Sequence, residues 1–242
     1  MEMEIDASKE TETTATDLFK AAESGDASLF HTFSSDQLSK FLSLRNEDGR
    51  SLLHVATSSA HSKLVGILAE ADSLGKVINS KDEEGWAPIH SASSIGNLDI
   101  LQILLTKGAD VNLKNDGGRA ALHYAASKGW VKIADMLLVH GANINVKDKV
   151  GCTPLHRAAS TGHSELCEFL IEEGAEIDAL DKANQTPLMT AVICENKQVA
   201  LLLVRHGADV DIEDKEGYTV LGRAPKDLRD SIIDAAKAMM EG

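Results

Sequence analysis

Aromatic residues, proline and cysteine are all scarce in this chain. Of its 242 residues, 4% are aromatic, 4 are proline and 3 are cysteine. The cysteines, Cys152, Cys167 and Cys194, are odd in number and form no C-x-x-C pair. We therefore expect free thiols in a reducing compartment rather than a disulfide framework.

Long hydrophobic runs and a surplus of basic charge are also missing. No stretch approaches 18 apolar residues, so no membrane span is expected. The first six residues are Met-Glu-Met-Glu-Ile-Asp, which lack the basic and apolar regions of a secretory signal. A formal net charge of −14 opposes binding to nucleic acid or to an anionic membrane and favours a partner with a basic surface.

A block of about 33 residues recurs along the sequence. His90, His123 and His156 are 33 residues apart, and two glycine series keep the same spacing. These series are Gly85, Gly118 and Gly151, and Gly108, Gly141, Gly174 and Gly207, with alanine after each member of the second. Self-similarity at this period predicts a solenoid in which each unit buries its apolar face on its neighbours.

The period divides the chain into one elongated domain. Residues 1–15 are polar and acidic and are predicted to be a disordered tail. An N-terminal cap, five repeats and a C-terminal cap are expected at 16–46, 47–79, 80–112, 113–145, 146–178, 179–211 and 212–242. His54 precedes His90 by 36 residues, so we place a three-residue insertion near Ser73–Gly75.

Each unit reads as two helices joined by a tight connection. In the most regular unit Thr153 can cap the first helix and Pro154 suits its first turn. Gly162 separates the helices, and Gly174 supplies a left-handed residue at the end of the second. The segment between units is predicted to project as a β-turn.

This pattern resembles ankyrin repeats. The matching residues are Gly151-Cys-Thr-Pro-Leu-His156-Arg-Ala-Ala159, Gly162-His163 and Gly174-Ala175. The resemblance implies an all-α solenoid of about seven helix-turn-helix units, curved so that the turns and first helices form a concave binding face. With the N-terminal cap counted as repeat one, repeat four departs from it with Ala120-Ala121 for Thr-Pro, and repeat six has Met189 for histidine and Asn184 for glycine. Asparagine tolerates positive φ, so the turn at Asn184 can survive.

Catalytic and metal-binding interpretations of the sequence are weak. The four histidines at the same repeat position form a ladder one repeat apart, too widely spaced to share a metal, so structural hydrogen bonding is expected. The cysteines lack a basic neighbourhood, and the glycine pairs lack the lysine and strand of a phosphate loop. We therefore predict no enzyme, no metal and no cofactor.

Variable positions of the repeats are the candidate binding residues. They lie just after the turn glycine, just after the histidine position, or five residues after it. The predicted partner-binding set is Arg50, Val55, Trp86, Ser91, Ile95, Arg119, Tyr124, Lys128, Arg157 and Tyr218. Tryptophan, tyrosine and arginine are enriched at binding hot spots. Packing of Trp86 and Tyr124 on neighbouring turns is the alternative. Acidic residues of the turns are expected to line the same edge and to attract a basic partner: Asp82, Glu83, Glu84, Asp116, Asp148, Asp181, Asp214 and Glu216.

Two runs are also similar to the gankyrin family of proteasomal ankyrin-repeat subunits. These runs are Glu84-Gly-Trp86-Ala-Pro-Ile-His90-Ser-Ala and Leu122-His-Tyr-Ala-Ala-Ser-Lys128. The resemblance implies a monomeric cytoplasmic and nuclear chaperone that binds the C-terminal domain of a base ATPase through Arg50 and Lys128. The Leu-x-Cys-x-Glu segment linked to retinoblastoma binding in that family is absent. An ankyrin adaptor for another client, such as a kinase or transcription factor, is the alternative.

Overall fold

Helices are the only regular elements among the residues that the structure describes. This computed structural model describes residues 14–73 and 75–240. Its helices are α1 (Ala15–Ser24), α2 (Ala27–His31), α3 (Ser35–Phe41), α4 (Leu52–Ser58), α5 (Ser62–Ala71), α6 (Pro88–Ile95), α7 (Leu98–Thr106), α8 (Ala121–Lys128), α9 (Val131–Val139), α10 (Pro154–Thr161), α11 (Ser164–Glu172), α12 (Pro187–Ile193), α13 (Lys197–Arg205), α14 (Val220–Arg223) and α15 (Lys226–Met240). None of these helices combines the length and apolar character that a bilayer crossing requires.

The helices form two stacked layers, as the predicted solenoid requires. First helices contact one another in the order α1, α4, α6, α8, α10, α12 and α14. Second helices form the parallel series α5, α7, α9, α11, α13 and α15, with α2 and α3 against α5. One apolar cluster runs between the layers from Leu18 to Ile232. Each unit thus covers the apolar side of the next, which confirms the all-α repeat architecture.

The two ends of α1 show how the local sequence determines where a helix begins and ends. Thr14 caps α1, and its hydroxyl accepts the Asp17 backbone N–H at 3.2 Å. The last residue of the predicted tail, Ala15, therefore belongs to a helix, and residues 1–13 lie outside the described residues. Gly25 ends α1 with a φ of 74°, a conformation that glycine adopts without steric cost.

The chain after α5 differs from the other repeats where the extra residues were predicted. Helix α5 is 10 residues long, whereas α7 has 9. The Asp72 carboxylate follows α5 and accepts the backbone N–H groups of Lys76, Val77 and Ile78 at 2.8–2.9 Å. A single side chain therefore satisfies the backbone of the added turn and returns the chain to the repeat.

Asparagine side chains link the turns of successive repeats by a recurring pair of hydrogen bonds. Asn112 donates through Nδ2 to the Gly141 carbonyl at 3.0 Å, and its Oδ1 accepts the Asn143 N–H at 2.8 Å. Asn79 makes the same two bonds to Gly108 and Asp110. Asn145 and Asp178 stand at this position further along and show only the acceptor bond, from Glu176 N–H at 2.9 Å and from Asp209 N–H at 3.0 Å. Unlike Asn145, Asp178 has no side-chain N–H with which to donate. Burial, and then the charge of Asp209, raise the pKa of Asp178.

Replacing this aspartate should stabilise the protein. Asp178→Asn supplies the missing N–H for the Gly207 carbonyl and removes the repulsion with Asp209. We expect a gain of about 0.5–1.5 kcal/mol in the free energy of unfolding, measured by urea denaturation at pH 7. Asn112→Asp is the matched control and should lose stability by a similar amount. Equal stability of Asp178→Asn and wild type would show that the side-chain N–H contributes nothing there.

Candidate functional site: the turn face

The turns between repeats share one design. Each turn begins with asparagine or aspartate, and its Oδ1 accepts the backbone N–H groups two and four residues further on, at 2.8–3.1 Å. These residues are Asn46, Asp82, Asn115, Asp148, Asp181 and Asp214. Such Asx turns fix the backbone without help from other segments. Asn184 adopts a φ of 57° in place of the glycine, so the predicted survival of that turn is confirmed.

Backbone hydrogen bonds join the tips of successive turns into a continuous row. The N–H of Lys149 donates to the Gly117 carbonyl at 3.0 Å, and that of Lys182 donates to the Val150 carbonyl at 2.9 Å. The same bond recurs at the other tips, from Glu83 to Asp48, from Asp116 to Glu84 and from Lys215 to Ala183. We call the second and third residues of all six turns the tip row. Together with the exposed side of the first helices, the tip row forms the turn face.

The repeated histidines lie beneath the turn face and serve the backbone. In His123 the Nδ1 atom accepts the Ala120 N–H at 3.1 Å, so the proton is on Nε2, which donates to the Cys152 carbonyl at 3.0 Å. His54, His90 and His156 make the same pair of bonds, within their own repeat and to the next one. Both ring nitrogens are thus used by backbone groups, which confirms the structural interpretation of the ladder.

Burial keeps these rings neutral. It lowers the pKa of His54 and His123 to about 4, although the backbone hydrogen bonds act in the opposite direction. The pKa of His90 and His156 is also lowered by burial. A neutral imidazole matches the observed geometry, because Nδ1 must carry a lone pair to accept the N–H.

Trp86 and Tyr124 pack against each other across the boundary between two repeats. Their ring centroids are 4.4 Å apart, and each ring lies 6.0 Å from His90. The Tyr124 hydroxyl accepts the Asn115 side-chain N–H at 2.7 Å. Both rings remain half-buried. Each ring is therefore partly buried by packing, as the alternative prediction proposed. The rest of each ring remains accessible to a partner on the turn face.

Two arginines of the turn face are bound to buried aspartates. Asp148 is 1% exposed through its side chain; Arg157 forms an ion pair with it, and Arg119 Nε lies 3.8 Å from the same oxygen. Burial alone would raise the pKa of Asp148, but the hydrogen bond and charge of Arg157 lower it. Arg223 bonds to Asp214 at 2.5 and 2.8 Å and lies 4.4 Å above the Tyr218 ring. Asp148 and Asp214 are therefore structural acids, which corrects the prediction that they line the edge to attract a basic partner.

A cleft opens on the turn face between the second and third repeats. Its volume is about 470 Å³, and it is lined by Asp48, Arg50, Asp82, Glu83, Glu84, Trp86 and Ser91. Arg50 lines the cleft, and its guanidinium group donates to the His54 carbonyl at 3.1 Å and to the Ser58 hydroxyl at 2.7 Å. Four carboxylates beside one half-buried indole suit a cationic side chain better than an apolar one.

The remaining predicted residues differ in exposure. Val55 and Ser91 are 9% and 8% exposed and contribute little surface. Ile95 and Tyr218 are 38% and 49% exposed, and Lys128 is exposed at the end of α8. The structure thus brings Arg50, Trp86 and Ser91 together in the cleft and Trp86 and Tyr124 in one aromatic pair. Ile95, Lys128 and Tyr218 are exposed but belong neither to the cleft nor to the aromatic pair.

A second ladder at the inter-helix connections was recognised only in part from the sequence. His61, Trp130, His163 and Asn196 each donate or bond to a carbonyl near the end of the preceding first helix, at 2.8–3.3 Å. His61 and His163 therefore have a structural role, since each bonds to the backbone of the preceding repeat. Trp130 and Asn196 stand at the same 33-residue spacing, which is the signal that would have found them.

The thiols of two cysteines are held in the protonated form. Burial raises the pKa of Cys167 to about 12 and that of Cys152 to about 11. Thiolate is the nucleophilic form, so neither group is suited to covalent chemistry at neutral pH. Among the described residues no group of three or more histidine, cysteine, aspartate or glutamate side chains is placed to hold a metal ion.

Comparison with known proteins agrees with this geometry. The model for ankyrin repeats in three copies matches residues 18–115 and 102–181, and the model for a single ankyrin repeat matches residues 183–215. The chain belongs to the ankyrin-repeat family. Among solved structures it is similar to the human ASB11 ankyrin repeat domain, with a TM-score of 0.78, 23% identity and coverage of 90% of this chain and 96% of that one. That likeness concerns the fold alone. No curated protein matches this ankyrin-repeat chain.

The histidine ladder predicts that stability falls in mild acid. Unfolded histidine titrates near pH 6.5, whereas folded His54 and His123 titrate near 4, so the unfolded state binds more protons between these values. The free energy of unfolding should therefore drop as the pH falls from 7 to 5. In His123→Met, which copies the Met189 repeat, the drop should be smaller by about 1–2 kcal/mol. Urea denaturation at both pH values tests this, with His140→Met as control. An equal drop in both variants would contradict it.

Arg157 is expected to act on stability rather than on binding alone. Arg157→Ala removes the hydrogen-bonded ion pair of the buried Asp148 carboxylate and leaves only Arg119, at 3.8 Å, which should cost about 2–4 kcal/mol. Thermal and urea denaturation measure the loss, and Arg205→Ala, an exposed arginine on α13, provides the comparison. Equal stability of the two variants would show that the Asp148 pair contributes nothing to folding.

Proposed function

We propose that this protein is a non-enzymatic scaffold that chaperones assembly of the proteasome regulatory particle by binding the C-terminal domain of one base ATPase. Ankyrin repeats mediate protein–protein interactions, and the fold is generally a non-enzymatic scaffold. Support for the particular client comes from the two sequence runs around Trp86 and Tyr124 that resemble gankyrin. These runs supply the half-buried aromatic pair of the turn face.

The observation that carries binding is the cleft beside this pair. It is open, polar and lined by acids of two successive turns, and one wall is the Trp86 indole. An indole next to carboxylates binds a lysine or arginine side chain both through its π face and through opposite charge. Basic residues on the partner therefore fit the cleft, in agreement with the net charge of −14.

Lys128 provides the opposite charge on the same face. It lies one repeat beyond the cleft, is exposed, and forms no ion pair among the described residues. Arg50 is the other predicted basic contact, but its guanidinium group already donates hydrogen bonds to His54 and Ser58. It is therefore less accessible to a partner than Lys128. An acidic residue of the partner near Lys128 would complete a two-point contact. We infer a monomeric cytoplasmic and nuclear protein that engages neither nucleic acid nor membrane.

Reversal of the Lys128 charge tests the proposal. Lys128→Glu should weaken binding to the purified ATPase C-terminal domain by about 3- to 10-fold, because an attraction at the interface becomes a repulsion. Added salt should weaken wild-type binding, since exposed charges are screened within about 8 Å at physiological ionic strength. Titration calorimetry gives both results.

The matched control is Lys132→Glu, on the second helix of the same repeat. It makes the same change of net charge on the opposite layer and should leave affinity unchanged. Equal loss in both variants would show that net charge, rather than this face, controls binding. No binding by the wild type would reject the proteasomal client and leave an adaptor for a kinase, a transcription factor or another client.

A further inference from the structure

The charge of the tip row changes sign half-way along the molecule. The second residue of each turn is acidic in the first three turns and lysine in the last three. In order these residues are Glu47, Glu83, Asp116, Lys149, Lys182 and Lys215. All six are exposed. A chain that carries 38 acidic and 24 basic residues has thus gathered three lysines at one end of one edge and three acids at the other.

The backbone holds these side chains in fixed order. The N–H groups of Lys149, Lys182 and Lys215 each donate to the tip of the preceding turn at 2.9–3.0 Å. Stacked repeats lie at roughly the 8–10 Å that separates packed helices. The three lysines are therefore anchored through their backbones on neighbouring tips, and adjacent tips lie within about one screening length of each other.

No internal partner neutralises this arrangement within the described part of the chain. None of the six second-position side chains takes part in an ion pair there. Earlier lysines of the turns behave differently, because Lys81, Lys114 and Lys147 each donate to a carbonyl of the next turn at 2.7–2.9 Å. Like charges on adjacent tips repel each other. A partner surface of opposite charge would offset this repulsion and so lower the electrostatic free energy of the row.

The third residue of each turn accentuates the difference between the two ends. Asp48 and Glu84 add two acids to the first half, where they line the cleft with Trp86. In the later turns the third residues are Val150, Ala183 and Glu216. The Val150 side chain is 54% exposed, and the Glu216 carboxylate forms an ion pair with Arg223 at 2.8 Å. The acidic half is therefore polar and concave, while the lysine half presents charge around a small apolar contact.

We propose that the tip row fixes the direction in which a partner protein docks, with a basic patch of the partner against the first three tips and an acidic patch against Lys149, Lys182 and Lys215. This inference rests on the proposed protein-binding function and specifies the chemistry of the partner. A second copy of the chain, turned end for end, is the other occupant with complementary charges. Its net charge of −14 opposes that pairing.

The test compares two triple variants of equal net charge. The tip variant is Lys149→Glu, Lys182→Glu and Lys215→Glu. The control variant is Lys63→Glu, Lys132→Glu and Lys197→Glu, whose exposed lysines lie in the first turns of second helices, where glutamate is tolerated well. Circular dichroism and thermal melting verify that both remain folded. Calorimetry with the ATPase C-terminal domain in 50 mM salt should show at least a tenfold loss for the tip variant and less than a twofold loss for the control.

The outcomes separate this inference from the proposed function. If the wild type binds the ATPase domain and the two triple variants bind it with equal affinity, the proposed client stands. The proposal that the tip row fixes the docking direction is then wrong. If the wild type does not bind, deca-glutamate and deca-lysine replace the domain as probes in an NMR titration of the full chain at low salt. Deca-glutamate should shift the amides of Lys149, Lys182 and Lys215, and deca-lysine those of Glu83, Glu84 and Asp116. Overlapping or scattered shifts would overturn the proposal, as would a wild-type dimer in sedimentation that the tip variant lacks.

Discussion

The Nε2 atoms of the buried histidines in four successive repeats find a hydrogen-bond partner only in the next repeat of the described chain, and the rest of the structure depends on that constraint. The buried ring of His54 needs the Trp86 carbonyl of the next repeat, and the buried ring of His156 needs the Gln185 carbonyl in the same way. A buried donor or acceptor without a partner costs about 1–3 kcal/mol, so an isolated repeat would lose several such contributions together. Stacking therefore satisfies backbone groups as well as covering apolar surface.

The same constraint decides which residues are free to bind. Once a histidine, an Asx residue and a glycine have been assigned to each turn, only the tips and the exposed side of the first helix vary without breaking a bond between repeats. Even there the structure uses some charges internally, as Arg157 and Arg223 show. An arginine on such a surface is a binding residue only if no buried carboxylate already holds it.

The repeat architecture could be predicted from sequence because it is periodic. Spacings of 33 residues identified the histidine ladder and the turn glycines, and local chemistry predicted the helix cap at Thr153 and the turn at Asn184. Each of these features depends on one residue and its neighbours in sequence. Their agreement over several units made the prediction of fold secure.

The candidate site was less predictable because it depends on pairs that are far apart in the repeat. Whether the first acid of a turn is buried in an ion pair depends on a residue of the first helix that follows. Asp148 pairs with Arg157 and Asp214 with Arg223, whereas Asp181 has Thr190 at the corresponding position. The cleft likewise needs two turns and one first-helix residue, Ser91, to meet.

The tip row lies between these extremes, since its charge pattern is legible in the sequence but its meaning depends on backbone bonds that place the tips side by side. Three lysines spaced 33 residues apart become one patch only because Lys182 donates to Val150 and Lys215 to Ala183. An extended chain would separate neighbouring members by roughly 100 Å, well beyond the range of screened charge. The solenoid thus converts a periodic substitution into a local electrostatic surface, and a change of residue at one repeated position can redirect binding without disturbing the core.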